Sequence, residues 1–393
     1  MFELDDDERV IVDTAAAFAA KRLAPHALDW DADKHFPVDV LRASAELGIA
    51  AIYCSEEVGG SGLRRLDAVR IFEELAAADP TVASFISIHN MCAWMIDSYG
   101  TPEQRKTWVP QLATMESIAS YCLTEPGAGS DASALRTRAV RDGSDWVLDG
   151  VKQFISGAGV SDVYVVMART GAEGPRGISA FIVEKDTPGL SFGANEAKMG
   201  WNAQPTAQVV FDKVRVPADA LLGGPEGGTG FGIAMNGLNG GRINIAACSL
   251  GGARAAYQKA TRYLCDREAF GGPLIDEPTI RFTLADMATS LETSRIMLWR
   301  AASALDAGAA DKVELCAMAK RYVTDVCYEV ADQALQLHGG YGYLTEYGLE
   351  KIVRDLRVHR ILEGTNEIMR VVIGRAVAGG ARNAAQAARA RAS

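Results

Sequence analysis

The chain has 393 residues, 48% hydrophobic and 23% charged, the balance of a globular protein with room for two or three domains. Its formal net charge of −10 argues against nucleic acid or an anionic membrane surface as the main partner, and no apolar run is long enough to cross a bilayer. The seven cysteines and five histidines are scattered, with no CxxC pair and no metal-ligand spacing, so they read as reduced thiols in a cytoplasmic protein without a metal site.

The acidic start, Met1-Phe2-Glu3-Leu4-Asp5-Asp6, has the pattern of neither a secretory signal nor a transit peptide. Residues 1–118 read as a helical domain. Ala-rich stretches at 12–23 and 66–78 carry apolar residues at helical spacing, and Asp79-Pro80 and Gly100-Thr101-Pro102 punctuate them. Residues 119–228 read as a β domain: a strand at 146–150 follows an Asp142-Gly143 turn, and β-rich runs recur at 163–167, 178–183 and 208–211. From 229 to 376 helices return. Leu284, Met287, Ala288 and Leu291 share one helical face, and a pattern over 313–337 stops at Gly339-Gly340. Residues 377–393, rich in Ala, Arg and Gly, read as a loosely ordered tail. Helices, then strands, then helices predict an α+β fold with separate layers, not a doubly wound sheet.

Five segments could carry chemistry, and each also has a plain structural reading. The loop Tyr121-Cys122-Leu123-Thr124-Glu125-Pro126-Gly127-Ala128-Gly129-Ser130-Asp131 lets backbone approach a flat or phosphorylated ligand, yet a Gly-rich boundary loop is often only a turn. Phe154 and Ser156, two apart on a strand, could stack on a ring and hydrogen-bond its edge, although Phe154 also suits a core. Arg242 in Leu238-Asn239-Gly240-Gly241-Arg242 could clamp a phosphate or support a carboxylate, or be paired structurally. Gln336-Leu337-His338-Gly339-Gly340 could offer N–H groups to a pyrophosphate or be an ordinary helix end. Glu363 precedes Gly364 and Thr365, a plausible N-cap for a helix bearing Glu367, so its carboxylate would stand beside free helix N–H groups. That placement suits a base, and equally an exposed loop residue.

Taken in order, these segments resemble the acyl-CoA dehydrogenase family from the first helices to about residue 376. Lys198-Met199-Gly200-Trp201 and Asp266-Arg267-Glu268-Ala269-Phe270-Gly271 add to the match. The resemblance implies an N-terminal helical domain, a middle β domain and a C-terminal four-helix bundle, assembled as a homotetramer. It implies FAD as cofactor and an acyl-CoA substrate. Glu363 would take the α-proton, the β-hydride would pass to the flavin, and an electron-transfer flavoprotein would collect the electrons. Tyr121, Leu123, Thr124, Phe154, Ile155 and Ser156 would surround the flavin ring. Arg267, Phe270, Gln336, Gly339 and Gly340 would reach FAD across a subunit interface, and Thr365 and Glu367 would contact it beyond the base. Ser130, Asn239, Arg242 and Gly364 would meet the substrate.

Some branches of the family carry the base immediately before the arginine matching Arg242. Here Gly241 stands there, which leaves Glu363 as the base. Phe154 and Ser156 replace a Trp and a Thr found in many relatives, a pair that fits a short branched acyl group. Pro278 replaces a glutamine usual near the FAD and can offer neither an amide side chain nor an N–H.

Overall fold

The structure, a computed structural model, describes residues 4–224 and 227–392. It begins with helices α1 (Asp6–Phe18), α2 (Ala27–Asp33), α3 (Val38–Ala45), α4 (Arg65–Ala78), α5 (Pro80–Tyr99) and α6 (Pro102–Ala113). Their starts follow from local chemistry. Asp5 and Glu8 form a capping box on α1, and Thr101 and Gln104 form one on α6. Asp79 caps α5 through the N–H groups of Thr81 and Val82, with Pro80 at the first helical position, where a missing N–H costs nothing. The punctuation legible in the sequence is thus a pair of helix starts.

The β domain holds β1 (Ala119–Cys122), β2 (Arg138–Asp142), β3 (Asp145–Ser156), β4 (Val163–Arg169), β5 (Ile178–Glu184), β6 (Leu190–Phe192), β7 (Thr206–Val216) and β8 (Leu221–Leu222). Their order is β6-β7-β3-β2-β4-β5-β8, with β1 added in parallel beside β4. Gly143, at φ +66°, makes the tight turn from β2 to β3. Between β3 and β7 the register slips from Lys152 to Ile155, a bulge that becomes important at the site.

The C-terminal region contains α7 (Gly230–Asp266), a short hairpin of β9 (Glu268–Ala269) and β10 (Gly272–Pro273), then α8 (Pro278–Asp306), α9 (Lys312–Leu337), α10 (Leu349–His359) and α11 (Asn366–Ala392). The 37-residue α7 is the central post: it packs against α4 and α5 on one side and α8 and α9 on the other. The α+β expectation of helices, sheet, then helices is met. The segment from 377 onward, expected as a tail, continues α11 as far as Ala392. Alanine and arginine are strong helix formers, and they outweigh Gly379 and Gly380.

Of two buried ionic clusters, one joins the domains and the other braces the β domain internally. Lys351 on α10 donates to Asp79 (3.2 Å) and Asp355 (2.7 Å), while Asp355 also accepts from Thr81 Oγ1 on α5 and from the backbone N–H of Trp201 in the β domain. In the loop after β1, Lys152 Nζ donates to Glu125 Oε1 (2.8 Å) and to the Leu123 carbonyl (3.0 Å). Glu125 further accepts from the backbone N–H groups of Arg136 and Thr137. Breaking a buried pair on one side strands the other charge. Lys152→Met is therefore expected to lower the unfolding free energy by about 3–5 kcal/mol. Chemical denaturation would read this, and a loss under about 1 kcal/mol would show that Glu125 finds water instead.

Candidate active site

Glu363 lies in the turn between α10 and α11, at φ +54°, followed by Gly364 at φ +90°. Thr365 Oγ1 accepts the Ile368 N–H (3.3 Å), as an N-cap does. The residue is half-buried, but Oε2 is sealed from solvent and has no hydrogen-bond partner among the described residues. Burial pushes its carboxyl up to about 7, against the downward pull of Lys320 and Arg242.

The turn is held from two helices. On α7, Arg242 Nη1 donates to Asn239 Oδ1 (2.8 Å), and its Nε reaches the Glu363 carbonyl at 3.4 Å. On α9, the fully buried Lys320 donates to the Gly364 carbonyl (2.7 Å) and to Asn366 Oδ1 (2.8 Å). Asn366 in turn donates to Thr324 Oγ1 and Asp325 Oδ1. Gly241 faces the base directly: a Cβ built there would lie 2.5 Å from Glu363 Oε2 and 2.8 Å from Cδ.

A cavity of about 630 Å³ opens onto this carboxylate. It gathers most of the residues marked in the sequence: Tyr121, Leu123, Thr124 and Ser130 from the loop after β1, then Phe154, Ile155 and Ser156 from β3. Arg242, Glu363 and Gly364 close it from the helical side. The bulge explains how three consecutive β3 residues reach one cavity, which strict alternation forbids. Phe154 sits at φ +58° with 62% of its surface exposed, so it is no core residue. Left-handed backbone is costly outside glycine and concentrates at functional sites. Phe154, Trp201 and Glu363 all adopt it and all line this cavity.

Other marked residues lie elsewhere. Asn239 is buried behind Arg242 and does not line the cavity. Thr365 caps α11, and the exposed Glu367 lies 3.6 Å from Arg370 in an ion pair. Arg267, Phe270, Gln336, Gly339 and Gly340 line a separate groove of about 650 Å³ beside the β9–β10 hairpin, where Phe270 is 91% exposed. The residues marked for one cofactor thus form two groups within the chain. The sequence reading missed Lys320 and Asn366. A signal existed for Lys320: it falls on the buried stripe of α9 with Cys316, Ala319, Val323 and Cys327, where a lysine needs a reason.

The chain matches the models of the acyl-CoA dehydrogenase N-terminal domain over residues 5–116, the middle domain over 120–214 and the C-terminal domain over 228–378. It belongs to the acyl-CoA dehydrogenase family. It is 54% identical to a protein named mitochondrial isobutyryl-CoA dehydrogenase from Dictyostelium discoideum, over 95% of this chain and 89% of that one. The solved structure of butyryl-CoA dehydrogenase from Megasphaera elsdenii superposes with a TM-score of 0.93 at 38% identity, covering 96% of this chain and 99% of that one. A glutaryl-CoA dehydrogenase from Mycobacterium smegmatis in complex with FADH2 does so with a TM-score of 0.90 at 30% identity, covering 96% and 95%.

The cavity residues fit a flavin. The Tyr121 hydroxyl is buried without a partner among the described residues, the Phe154 ring is presented to the cavity, and the hydroxyl side chains of Thr124 and Ser156 line it. These supply an apolar plate and polar contacts for a flat heteroaromatic ring.

The raised carboxyl of Glu363 has a signed consequence. An acid with an ordinary value of 4.5 that stands near 7 when folded stabilises the fold at low pH. That contribution falls away as pH rises from about 4.5 to 7, then stays lost. Glu363→Gln removes the burden of a buried charge, so at pH 8 the variant should be more stable by up to about 3 kcal/mol. The gain should vanish near pH 4. Equal stability of the two proteins at pH 8 would show that the carboxylate is not held at a cost.

Proposed function

We propose that the chain is an FAD-dependent dehydrogenase of a short branched acyl-CoA, converting isobutyryl-CoA to methacrylyl-CoA in valine breakdown. The observation that carries this is the partnerless, buried Oε2 of Glu363 opening onto a cavity with apolar walls such as Met91, Leu238 and Ile368. A carboxylate kept from water and near 7 is matched to taking a weakly acidic α-proton at neutral pH. Arg242 and Lys320 hold the turn, so the base does not need to be reorganised during reaction. The thioester enters past Ser130, and Asn239 fixes the Arg242 guanidinium. A flavin bound beside Tyr121, Leu123, Thr124, Phe154, Ile155 and Ser156 supplies the acceptor for the β-hydride. In a homotetramer, the Arg267, Phe270, Gln336, Gly339 and Gly340 group would serve the flavin of a neighbouring subunit. Thr365 and Glu367 would flank it, and an electron-transfer flavoprotein would take the electrons.

A panel of isobutyryl-, butyryl- and 2-methylbutyryl-CoA with a dye acceptor tests the substrate. Isobutyryl-CoA should give the highest kcat/KM. Much faster turnover of butyryl-CoA would overturn the branched assignment, and peroxide formed in step with product would make the chain an oxidase. Because kcat/KM reports the free enzyme's base, it should rise with pH through about 7. A flat profile between pH 6 and 8 would remove Glu363 from that role.

A further inference from the structure

A cleft of about 360 Å³ shares helix α7 with the Glu363 cavity but none of its lining residues. Its walls come from the entry to α4, from α5 and α7, and from the turn between α8 and α9. At its centre is Arg65, the first residue of α4, only 8% exposed. An arginine so deeply buried is almost always paired. Yet the Arg65 guanidinium makes no hydrogen bond or ion pair among the described residues. It rests instead over two rings, 3.4 Å from the Tyr53 centroid and 4.9 Å from that of Trp94. Stacking engages the flat face of a guanidinium and leaves its N–H edges free to donate. Packing on α7 fixes the group there: a Cβ at Gly240 would collide with Arg65 Nη1, as one at Gly241 would collide with the base.

The rest of the cleft donates more than it accepts. Asp306 is the one acid that lines it, and its carboxylate is spent on the backbone N–H groups of Arg65 (2.7 Å) and Leu66 (3.1 Å) at the start of α4. Lys312, partly buried, lines the cleft without an ion-pair partner among the described residues. Asn239 gives its Oδ1 to Arg242, and its amide N–H groups meet no acceptor among the described residues. Asn236 and Tyr99 are bonded to each other, at 2.7 Å. Two cations against one engaged carboxylate leave a single positive charge, set among the apolar surfaces of Leu63, Trp94 and Leu305.

We infer that this cleft is a second ligand site, for a small monocarboxylate with an aromatic or short apolar body. The carboxylate meets the free edge of Arg65, the geometry of a charge-assisted pair, with Lys312 and the Asn239 amide beside it. The body lies against the rings and leucines, and the volume is at the small end of the usual range for ligand sites, about 300–1,000 Å³. The site also adjoins the catalytic network. Asn239, which lines it, holds Arg242, and Arg242 Nε reaches the Glu363 carbonyl at 3.4 Å. A bound anion therefore stands one amide away from the arginine that steadies the base.

The test titrates benzoate into the flavin-loaded full chain by calorimetry and needs no turnover. Benzoate should bind, and Arg65→Met should weaken it about tenfold or more, the loss of one charge-assisted pair. No binding to the parent protein overturns the site. Unchanged affinity in Arg65→Met places benzoate elsewhere, the Glu363 cavity included, and overturns it too. Benzyl alcohol, with the same ring and no charge, should bind about tenfold more weakly or worse, and equal binding would remove the anion from the recognition. Inorganic phosphate binding as tightly as benzoate would overturn the carboxylate assignment. Should Arg65→Met not fold, Lys312→Met changes only a partly exposed side chain. Its benzoate affinity should fall about twofold to fivefold, and an unchanged value there overturns the site as well.

Discussion

Glu363→Gln is expected to keep the flavin spectrum and substrate binding but to slow anaerobic bleaching by substrate about a thousandfold or more, within the range for loss of a general base. Glutamine has the same shape and fills the same space, so the turn held by Arg242 and Lys320 keeps its conformation. What it lacks is a site for the proton. Among the described residues, the two rival carboxylates, Glu125 and Asp131, already have partners, although Asp131 also lines the cavity. Glu125 is already engaged by Lys152 and by the N–H groups of Arg136 and Thr137. Asp131 is exposed and accepts from Ser133 Oγ (2.8 Å). Bleaching at a near-normal rate would show that another residue is the base.

Gly241→Ala should produce a separate loss with a different signature. The added methyl would fall 2.5–2.9 Å from all three atoms of the Glu363 carboxylate, so the carboxylate must swing away. The obstruction is the end of a flexible side chain, and the fold can absorb it. Alanine inside a helix is also favoured over glycine by about 1 kcal/mol. The variant should therefore melt no lower than the parent while kcat/KM falls about a hundredfold, the cost of displacing a catalytic group by about 1 Å. Activity within a few-fold of the parent would mean that the base works from more than one position. A large drop in melting temperature would mean that Gly241 serves packing instead.

Much of this was readable from the chain. The β-rich runs at 163–167 and 178–183 became β4 and β5, and the pattern over 313–337 became α9 almost to the residue. Glu363, Gly364 and Thr365 adjoin in sequence, so base and cap could be recognised together. The features that were not legible depend on backbone geometry or on distant strands. No pattern of alternation predicts the bulge that turns Phe154, Ile155 and Ser156 into one cavity. Left-handed backbone at Phe154 and Glu363 is set by tertiary contacts, not by propensity. Lys320 lies 43 positions from Glu363, and only packing of α9 against the turn brings them together.

The Lys351 cluster carries an evolutionary implication. One carboxylate, Asp355, is bonded at the same time by a hydroxyl from the N-terminal helices, a backbone N–H from the β domain and an ammonium from α10. Three segments that look modular in sequence are therefore not interchangeable parts. A chimaera that imported the N-terminal helices without a hydroxyl at position 81 would leave Asp355 paired with Lys351 but one donor short in a buried interior.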